Sequence, residues 1–213
     1  MEQEKVSTEN VPVKYKDKGE QVRFENYEKR RAELIGQGYQ EHVGTISIVK
    51  ANIFALVTAG PFAILVVAIY MMIWKQGTFR AQLSDYLIYC LAIMVSMPIH
   101  EGIHGLTWRM FCKGKWKSIY IGFIAEALTP FCHCKEPLRF WPYIIGGLMP
   151  FFVLGIGVSV VGIVCHSALI TVIGATSILA AGGDTTIALM LLRYRKALIL
   201  DHPKQCGFVA FTK

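Results

Sequence analysis

Four long apolar segments, separated by polar stretches, dominate the pattern of hydrophobic and polar positions along the chain. They cover residues 51–74, 86–108, 143–165 and 168–192. Each is longer than the roughly 20 residues that an α-helix needs to cross a hydrocarbon core about 30 Å thick. Tryptophan and tyrosine stand at several of their ends, where amphipathic rings favour the membrane interface. The pattern predicts an all-α integral membrane protein with about four transmembrane helices.

Composition and the distribution of basic residues support this prediction and add an orientation. The 213-residue chain is 54% hydrophobic and only 17% charged, which is too apolar for an ordinary soluble domain. Four spans place 20 of the 22 Lys and Arg residues on one side, which the positive-inside rule assigns to the cytoplasm. The net charge of +7 then reflects topology and attraction to anionic lipid rather than nucleic-acid binding. We therefore predict a multi-pass protein of a cell membrane, with both termini cytoplasmic.

Polar segments flank the apolar region and suggest three parts. Residues 1–34 are predicted to be a polar cytoplasmic N-terminal tail, 35–192 the membrane-embedded domain and 193–213 a cytoplasmic C-terminal tail. The N-terminus lacks the pattern of a signal peptide, so the first span is expected to act as the insertion signal. Most of the N-terminal tail is expected to be disordered or loosely helical, with a short surface helix over 24–34. The six cysteines form no disulfide framework, and those on the cytoplasmic side are expected to be reduced.

The second apolar segment contains ionisable residues where lipid is expected. The sequence His100-Glu101-Gly102-Ile103-His104 matches the pattern H-E-x-x-H. On a helix, positions i and i+4 share a face, so both imidazoles can bind one metal ion while Glu101 takes a proton from a water bound to it. Zinc lowers the pKa of such a water to about 7. The pattern predicts a zinc site, and the alternative is a set of hydrogen bonds across a helix bundle.

Asp184 is the candidate for a third protein ligand, because it is the other acidic residue within a predicted span. A catalytic zinc site needs three protein ligands and one open position. At 1.5 Å per residue, the histidine pair and Asp184 lie roughly 9 and 12 Å from the predicted cytoplasmic ends of their helices, so the two sites can face one another at a similar depth. Gly182 and Gly183 would let the fourth helix approach closely or bend. The alternative is a lone aspartate hydrogen-bonded to backbone or to Thr185.

The segment between the second and third spans mixes β-branched, aromatic and small residues. Residues 118–131 are therefore predicted to form a strand or hairpin, which either pairs with an extended substrate or only caps the bundle. Three adjacent ligands seldom close a tetrahedral metal site, so Cys132, His133 and Cys134 are predicted to lie in a loop with one residue at the active-site entrance. His133 and Thr185 are candidates for positioning substrate.

Four stretches of the sequence resemble a known family. They are MPIHEGIHG, LTPFCHCKEPLRFWPYIIGGLMP, AAGGDTTIALMLLRYRKALILDHPKQCGF and QGYQEHVGTISIVKANIFAL. They resemble a bacterial membrane family of putative zincin peptidases, similar in layout to site-2-type intramembrane metalloproteases, over roughly residues 35–211. The resemblance implies zinc ligands at His100 and His104, a catalytic Glu101 and an aspartate ligand at Asp184. Site-2-type proteases carry Asp-Gly with a nearby Asn-Pro, whereas this chain has the order Gly-Gly-Asp-Thr.

The leading hypothesis is a zinc-dependent membrane metallopeptidase that hydrolyses peptide bonds at or within the membrane by a zinc-activated water. His100, His104 and Asp184 would bind Zn²⁺, and Glu101 would act as general base and then as general acid. The expected partners are the lipid bilayer and a membrane-associated or unfolded polypeptide substrate, and the expected location is a bacterial inner membrane. Two alternatives stay open: a non-catalytic membrane protein with a structural metal site, and a zinc-dependent membrane hydrolase of a non-peptide amide or ester.

Overall fold

The computed structural model describes residues 18–75, 81–124 and 129–213, which are mostly helical. The helices are α1 (Lys18–Gly36), α2 (Ile48–Trp74), α3 (Leu83–Phe111), α4 (Phe140–Pro150), α5 (Val158–Val164), α6 (Ala168–Ala180) and α7 (Gly182–Leu191). The strands are β1 (Gln40–Thr45), β2 (Ile119–Ile124), β3 (Thr129–Cys134), β4 (Leu138–Arg139), β5 (Leu198–Asp201) and β6 (Gly207–Thr212). A π-helical segment, Phe151–Gly157, joins α4 to α5.

Three helices are long and apolar enough to cross a membrane. They cover Val49–Trp74, Leu83–Phe111 and Phe140–Val164, the last running through α4, the π-helical segment and α5. A fourth candidate is a pair of helices, Ala168–Ala180 and Gly182–Tyr194, bent by 41° at the break between them. The described part of the chain therefore contains three unbroken candidate spans, and a fourth when the bent pair is counted as one span.

Local interactions explain where the first two spanning helices begin and end. The Ser47 hydroxyl accepts a hydrogen bond from the Lys50 N–H at 3.4 Å at the start of α2, and Lys75 adopts the left-handed conformation that ends it. At the start of α3, a carboxylate oxygen of Asp85 accepts from the Gln82 N–H at 2.8 Å. Most large apolar side chains along both helices are exposed. This is the arrangement expected where lipid surrounds a helix.

A four-stranded antiparallel sheet corrects the prediction of an all-α protein. Its strand order is β1-β6-β5-β4. It therefore joins chain segments that come before α2, between α3 and α4, and after α7 in the sequence. Leu200, Val209 and Phe211 are fully buried on one face and pack against Tyr27 and Leu34 of α1. The strands are short, and β5 and β6 are buried on both faces, so these two lack the alternating pattern by which a half-buried strand is recognised. The predicted surface helix over residues 24–34 is the central part of the longer α1.

The predicted hairpin between the second and third spans is confirmed. Strands β2 and β3 pair in antiparallel register, with Tyr120 opposite His133 and Ile121 opposite Cys132. Strand β3 continues to Cys134, so the prediction of a loop over Cys132–Cys134 is wrong, because these residues continue the ladder with β2. A Cβ atom added at Gly105 of α3 would lie 3.2 Å from the Cys132 Sγ. The hairpin therefore packs closely against α3.

Candidate metal centre

Helix α3 places the two histidines of the H-E-x-x-H sequence one turn apart on the same face. The Nε2 atoms of His100 and His104 lie 3.1 Å from each other. Glu101 lies beside them, and one potential ligand atom from each of the three residues falls within 4.8 Å of the others. His104 is buried and the other two side chains are partly buried. The geometry brings together two imidazoles and one carboxylate from a single helix.

Helix α7 adds the carboxylate of Asp184 to this group. A Cβ atom at Gly182 would lie only 2.4 Å from the Cβ of Ala55 in α2, so glycine is needed for the start of α7 to approach α2 this closely. Asp184 stands in the first turn of α7. Its Oδ2 lies 3.1 Å from the His100 Nε2, and its Oδ1 lies 3.5 Å from the His104 Nε2. The break between α6 and α7 thus places the Asp184 carboxylate next to the histidine pair.

The spacing of these donor atoms fits a zinc ion. With metal–ligand bonds of about 2.0–2.1 Å, two donors of a tetrahedral site lie about 3.3 Å apart. The Nε2 atoms of His100 and His104 are 3.1 Å apart, and the Asp184 carboxylate has Oδ2 at 3.1 Å from the first and Oδ1 at 3.5 Å from the second. Two neutral imidazoles and a carboxylate are also the donor types that catalytic zinc sites use. The residues present therefore fit the group that their sequence pattern suggests.

The ring of His104 is oriented by the third span. Its Nδ1 lies 2.8 Å from the carbonyl oxygen of Gly146, and because a carbonyl only accepts, the Nδ1 carries the proton. The Nε2 lone pair is then directed at His100 and Asp184. Trp108 stacks on the His104 ring with centroids 5.1 Å apart, and its indole N–H donates to the Tyr143 carbonyl at 3.0 Å. Such partners fix the tautomer and the direction of a metal-binding histidine.

Glu101 is held by the backbone of the hairpin. Its Oε2 accepts a hydrogen bond from the Cys132 N–H at 2.7 Å. Strand β3 pairs with β2 along its other edge, so this N–H is available for the carboxylate. This contact has no signal in the sequence, because every residue type except proline carries the same backbone donor. Burial raises the pKa of the Cys132 thiol, so the thiol stays protonated.

A cavity of about 170 Å³ opens beside His100 and Glu101. Its walls come from three elements: α3 through Met97, β3 through Pro130 and α6 through Ala180. A cavity of about 150 Å³ can hold a benzene-sized group. The space next to the candidate metal centre is therefore large enough for one amino-acid side chain of medium size.

The structure places the two other predicted site residues away from the histidine pair. The Thr185 hydroxyl donates to the Gly182 carbonyl at 2.9 Å and lies 2.7 Å from the Thr58 hydroxyl of α2, so it connects α7 to α2. The Nδ1 of His133 lies 3.6 Å from the Oδ2 of Asp201 in β5. Among the described residues, neither side chain contacts the donor atoms of His100, His104 or Asp184. Their assignment as substrate-positioning residues therefore stays a prediction.

Asp201 is a buried residue that sequence analysis missed. Its Oδ2 accepts from the Cys134 N–H at 2.7 Å, and its Oδ1 accepts from the Tyr143 hydroxyl. Burial lowers the pKa of His133, and the neighbouring Asp201 carboxylate opposes that shift. The Nε2 of His133 is buried with no hydrogen-bond partner in the described part of the chain. The only available signal was an aspartate in an apolar stretch near the end of the chain.

Comparison with known proteins identifies the family. A family model described as "Putative zincin peptidase" matches residues 93–199, half of the 213-residue chain, and the matched range contains His100, Glu101, His104 and Asp184. The chain therefore belongs to this family, whose description implies zinc and a peptidase. No curated protein and no solved structure matches the chain.

Proposed function

We propose that this member of the putative zincin peptidase family is a zinc-dependent membrane metallopeptidase that hydrolyses peptide bonds at or within the membrane. The observation that carries the proposal is the convergence of donor atoms from His100, His104 and Asp184 at separations of 3.1–3.5 Å. These three side chains would hold the ion. Three protein ligands leave one position open, which distinguishes a catalytic zinc site from a closed structural one.

Glu101 is the group that moves protons in this proposal. When bound, zinc acts as a Lewis acid that polarises the substrate carbonyl and lowers the pKa of a coordinated water to about 7. The Glu101 carboxylate takes a proton from the attacking water and later returns it to the leaving amine nitrogen. Because the Cys132 N–H engages Oε2, Oε1 is the oxygen available for that transfer.

The surroundings of the centre favour a polypeptide substrate. The cavity beside His100 and Glu101 has room for one side chain and is bounded by spanning helices and by the hairpin. A segment that reaches it must be extended or unwound, so an unfolded or membrane-anchored polypeptide suits it best. The N–H groups of Cys132 and Cys134 on the outer edge of β3 are already paired with carboxylates. The preceding residue on that edge is Pro130, which has no N–H to donate. A substrate strand would therefore add to the free edge of β2.

Metal content of the purified full-length protein tests the ligand set. Wild type and Glu101→Gln are expected to bind one zinc per chain, whereas His104→Ala and Asp184→Ala are expected to lose it. Asp85→Ala, which removes a carboxylate at the far end of α3, serves as the control for loss of an acid. Zinc retained in full by Asp184→Ala would reject the proposed ligand set, and zinc lost from Glu101→Gln would make Glu101 a ligand of a closed structural site.

Hydrolysis in proteoliposomes tests the reaction. The substrate is an unfolded reporter segment attached to a single transmembrane helix. Cleavage should require zinc, stop on chelation and resume on adding zinc back, and Glu101→Gln should be inactive although it carries metal. Hydrolysis of small esters with no cleavage of any peptide reporter would instead favour the non-peptide hydrolase.

A further inference from the structure

A second cavity, of about 590 Å³, lies where α3 ends and α4 begins. Cations from three segments line it: Arg30 of α1, Lys113 after α3 and Arg139 before α4. Phe111 and Pro142 contribute apolar walls. It is separate from the candidate metal centre and shares no lining residue with the cavity beside His100.

Among the described residues, Glu136 is the carboxylate that lines this cavity, and three hydrogen bonds hold it in place. Glu136 Oε1 accepts from the Gly114 N–H at 2.9 Å and from the Ser118 hydroxyl at 2.5 Å. Its Oε2 accepts from the backbone N–H of Lys113 at 2.9 Å. Glu136 therefore fixes the turn after α3, and it contributes one negative charge to the lining of the cavity.

Two of the three cations have no carboxylate partner. Arg30 pairs with Glu33 at 2.9 Å, whereas Lys113 and Arg139 make no ion pair with any of the residues that the structure describes. Both of these side chains are exposed. Lys113 and Arg139 therefore outweigh the single negative charge of Glu136, and the lining carries a net positive charge.

The cavity lies at a boundary between apolar and polar surface. Phe111 is the last residue of the spanning helix α3, and Phe140 is the first residue of the next candidate span. Trp116, shortly after the end of α3, and Trp141, in the first turn of α4, are 50% and 67% exposed. Exposed tryptophans near the ends of spanning helices mark the headgroup level of a bilayer.

We propose that this cavity binds the headgroup of an anionic phospholipid, with Lys113 and Arg139 on the phosphate and the acyl chains leaving past Phe111 and Pro142. Basic pockets between spanning helices at a membrane face are suited to such headgroups, and arginine pairs with phosphate through two parallel hydrogen bonds. The apolar walls and the position at the headgroup level favour a lipid over a free anion. The proposal does not depend on zinc chemistry.

Lipid binding to the delipidated full-length protein in a neutral detergent tests the proposal, with native mass spectrometry as the readout. The probes are phosphatidylglycerol and phosphatidylcholine with identical acyl chains. Each basic side chain near the surface contributes about fivefold in affinity for anionic lipid. Wild type should therefore prefer phosphatidylglycerol, and Lys113→Gln/Arg139→Gln should lose roughly 25-fold in affinity for it.

The matched control is Lys115→Gln/Lys117→Gln, which removes the same charge from two exposed lysines that do not line the cavity. It should keep the wild-type preference. Equal losses in the two double variants, or equal binding of the two lipids by wild type, would overturn the proposal. Inorganic phosphate that displaces phosphatidylglycerol at millimolar concentration would also overturn it, in favour of a simple anion site.

Protection of a lysine amine from acylation is a second measurement. It uses the wild-type protein, so a folding defect in a variant cannot affect the result. Phosphatidylglycerol should slow the reaction of the Lys113 amine with an acylating reagent at least fivefold relative to phosphatidylcholine. The Lys115 amine, read from the same digest, should react at the same rate in both lipids. Equal protection of Lys113 and Lys115 would show general screening by anionic lipid and would reject the site.

Discussion

Glu101 and Asp201 hold the same edge of strand β3 from two different parts of the protein. Glu101, in the middle of a spanning helix, accepts from the Cys132 N–H, and Asp201, in the C-terminal sheet, accepts from the Cys134 N–H, each at 2.7 Å. Alternate N–H groups of a strand point to the same side, so both carboxylates bind the same edge of β3. A shift of β3 that follows one carboxylate would therefore break the hydrogen bond to the other. The position of the proposed catalytic carboxylate is thus coupled to the sheet that follows the last span.

The Cys132 N–H can be removed without removing a hydrogen bond between β2 and β3. Proline lacks this donor, so Cys132→Pro should free Glu101 to rotate and lower the rate of peptide cleavage by about 10- to 100-fold, the usual range for losing such a supporting contact. Cys132→Ala keeps the N–H and should retain near wild-type activity. Both variants should keep one zinc, measured on the same samples. Equal activity of the two variants would show that this hydrogen bond does not position Glu101.

Gly146 and Gly147 provide a matched pair for the orientation of His104. A Cβ atom at Gly146 would lie 2.1 Å from the Trp108 ring that stacks on His104, whereas a Cβ at Gly147 has nothing within 4 Å. Gly146→Ala should therefore displace the indole and weaken zinc binding about 10- to 100-fold. Gly147→Ala should bind zinc as tightly as wild type in a competition titration with a chelator. Unchanged zinc affinity in Gly146→Ala would mean that the stacking contact does not orient the ligand.

Asp201 is expected to contribute to stability. Replacing it by alanine leaves the Tyr143 hydroxyl and the Cys134 N–H buried without their acceptor, at a cost of about 1–3 kcal/mol for each unsatisfied group. Asp201→Ala should lower the unfolding midpoint clearly, and Asp201→Asn, which keeps one acceptor oxygen, should lower it less. Both are measured by unfolding in a denaturing detergent. A midpoint of Asp201→Ala equal to that of wild type would contradict this role.

Stability should decrease in mild acid because of His133. Burial lowers the pKa of His133 in the folded protein, Asp201 opposes the shift, and Arg23 and Lys135 add to it. In the unfolded chain, His133 takes up its proton near pH 6.5. Below about pH 6.5 the unfolded state therefore binds more protons than the folded state, and the free energy of unfolding decreases as the pH is lowered. The loss continues down to the lowered pKa of the folded state. His202, whose pKa is also lowered by burial, contributes to the same loss.

His133→Gln removes one titrating group and should flatten the fall of the unfolding midpoint between pH 7 and pH 5, relative to wild type. His202→Gln is the comparison variant and should flatten it less, because His202 is less buried. An identical slope in wild type and His133→Gln would show that this histidine does not titrate in the range.

The sequence was most informative where a single local pattern carries the signal. Runs of more than 20 apolar residues predict spanning helices because lipid leaves the backbone no other partners. The pair His100 and His104 was recognisable because helical spacing alone puts both rings on one face. Comparison of depths also selected Asp184, and the structure brings its carboxylate to within 3.1 Å of the His100 ring, although its role as a ligand stays a prediction.

The tertiary structure decided everything that depends on partners distant in sequence. The sheet pairs β1 with β6, the Cys132 N–H meets Glu101, and the Gly146 carbonyl receives the His104 proton. A backbone donor or acceptor has no residue-type signature, and a strand buried on both faces has no alternating pattern, so neither could be predicted from one sequence. The sequence by itself therefore determined the candidate membrane-spanning helices and the residue types of the candidate ligands. Long-range packing alone determined how those ligands are oriented and supported.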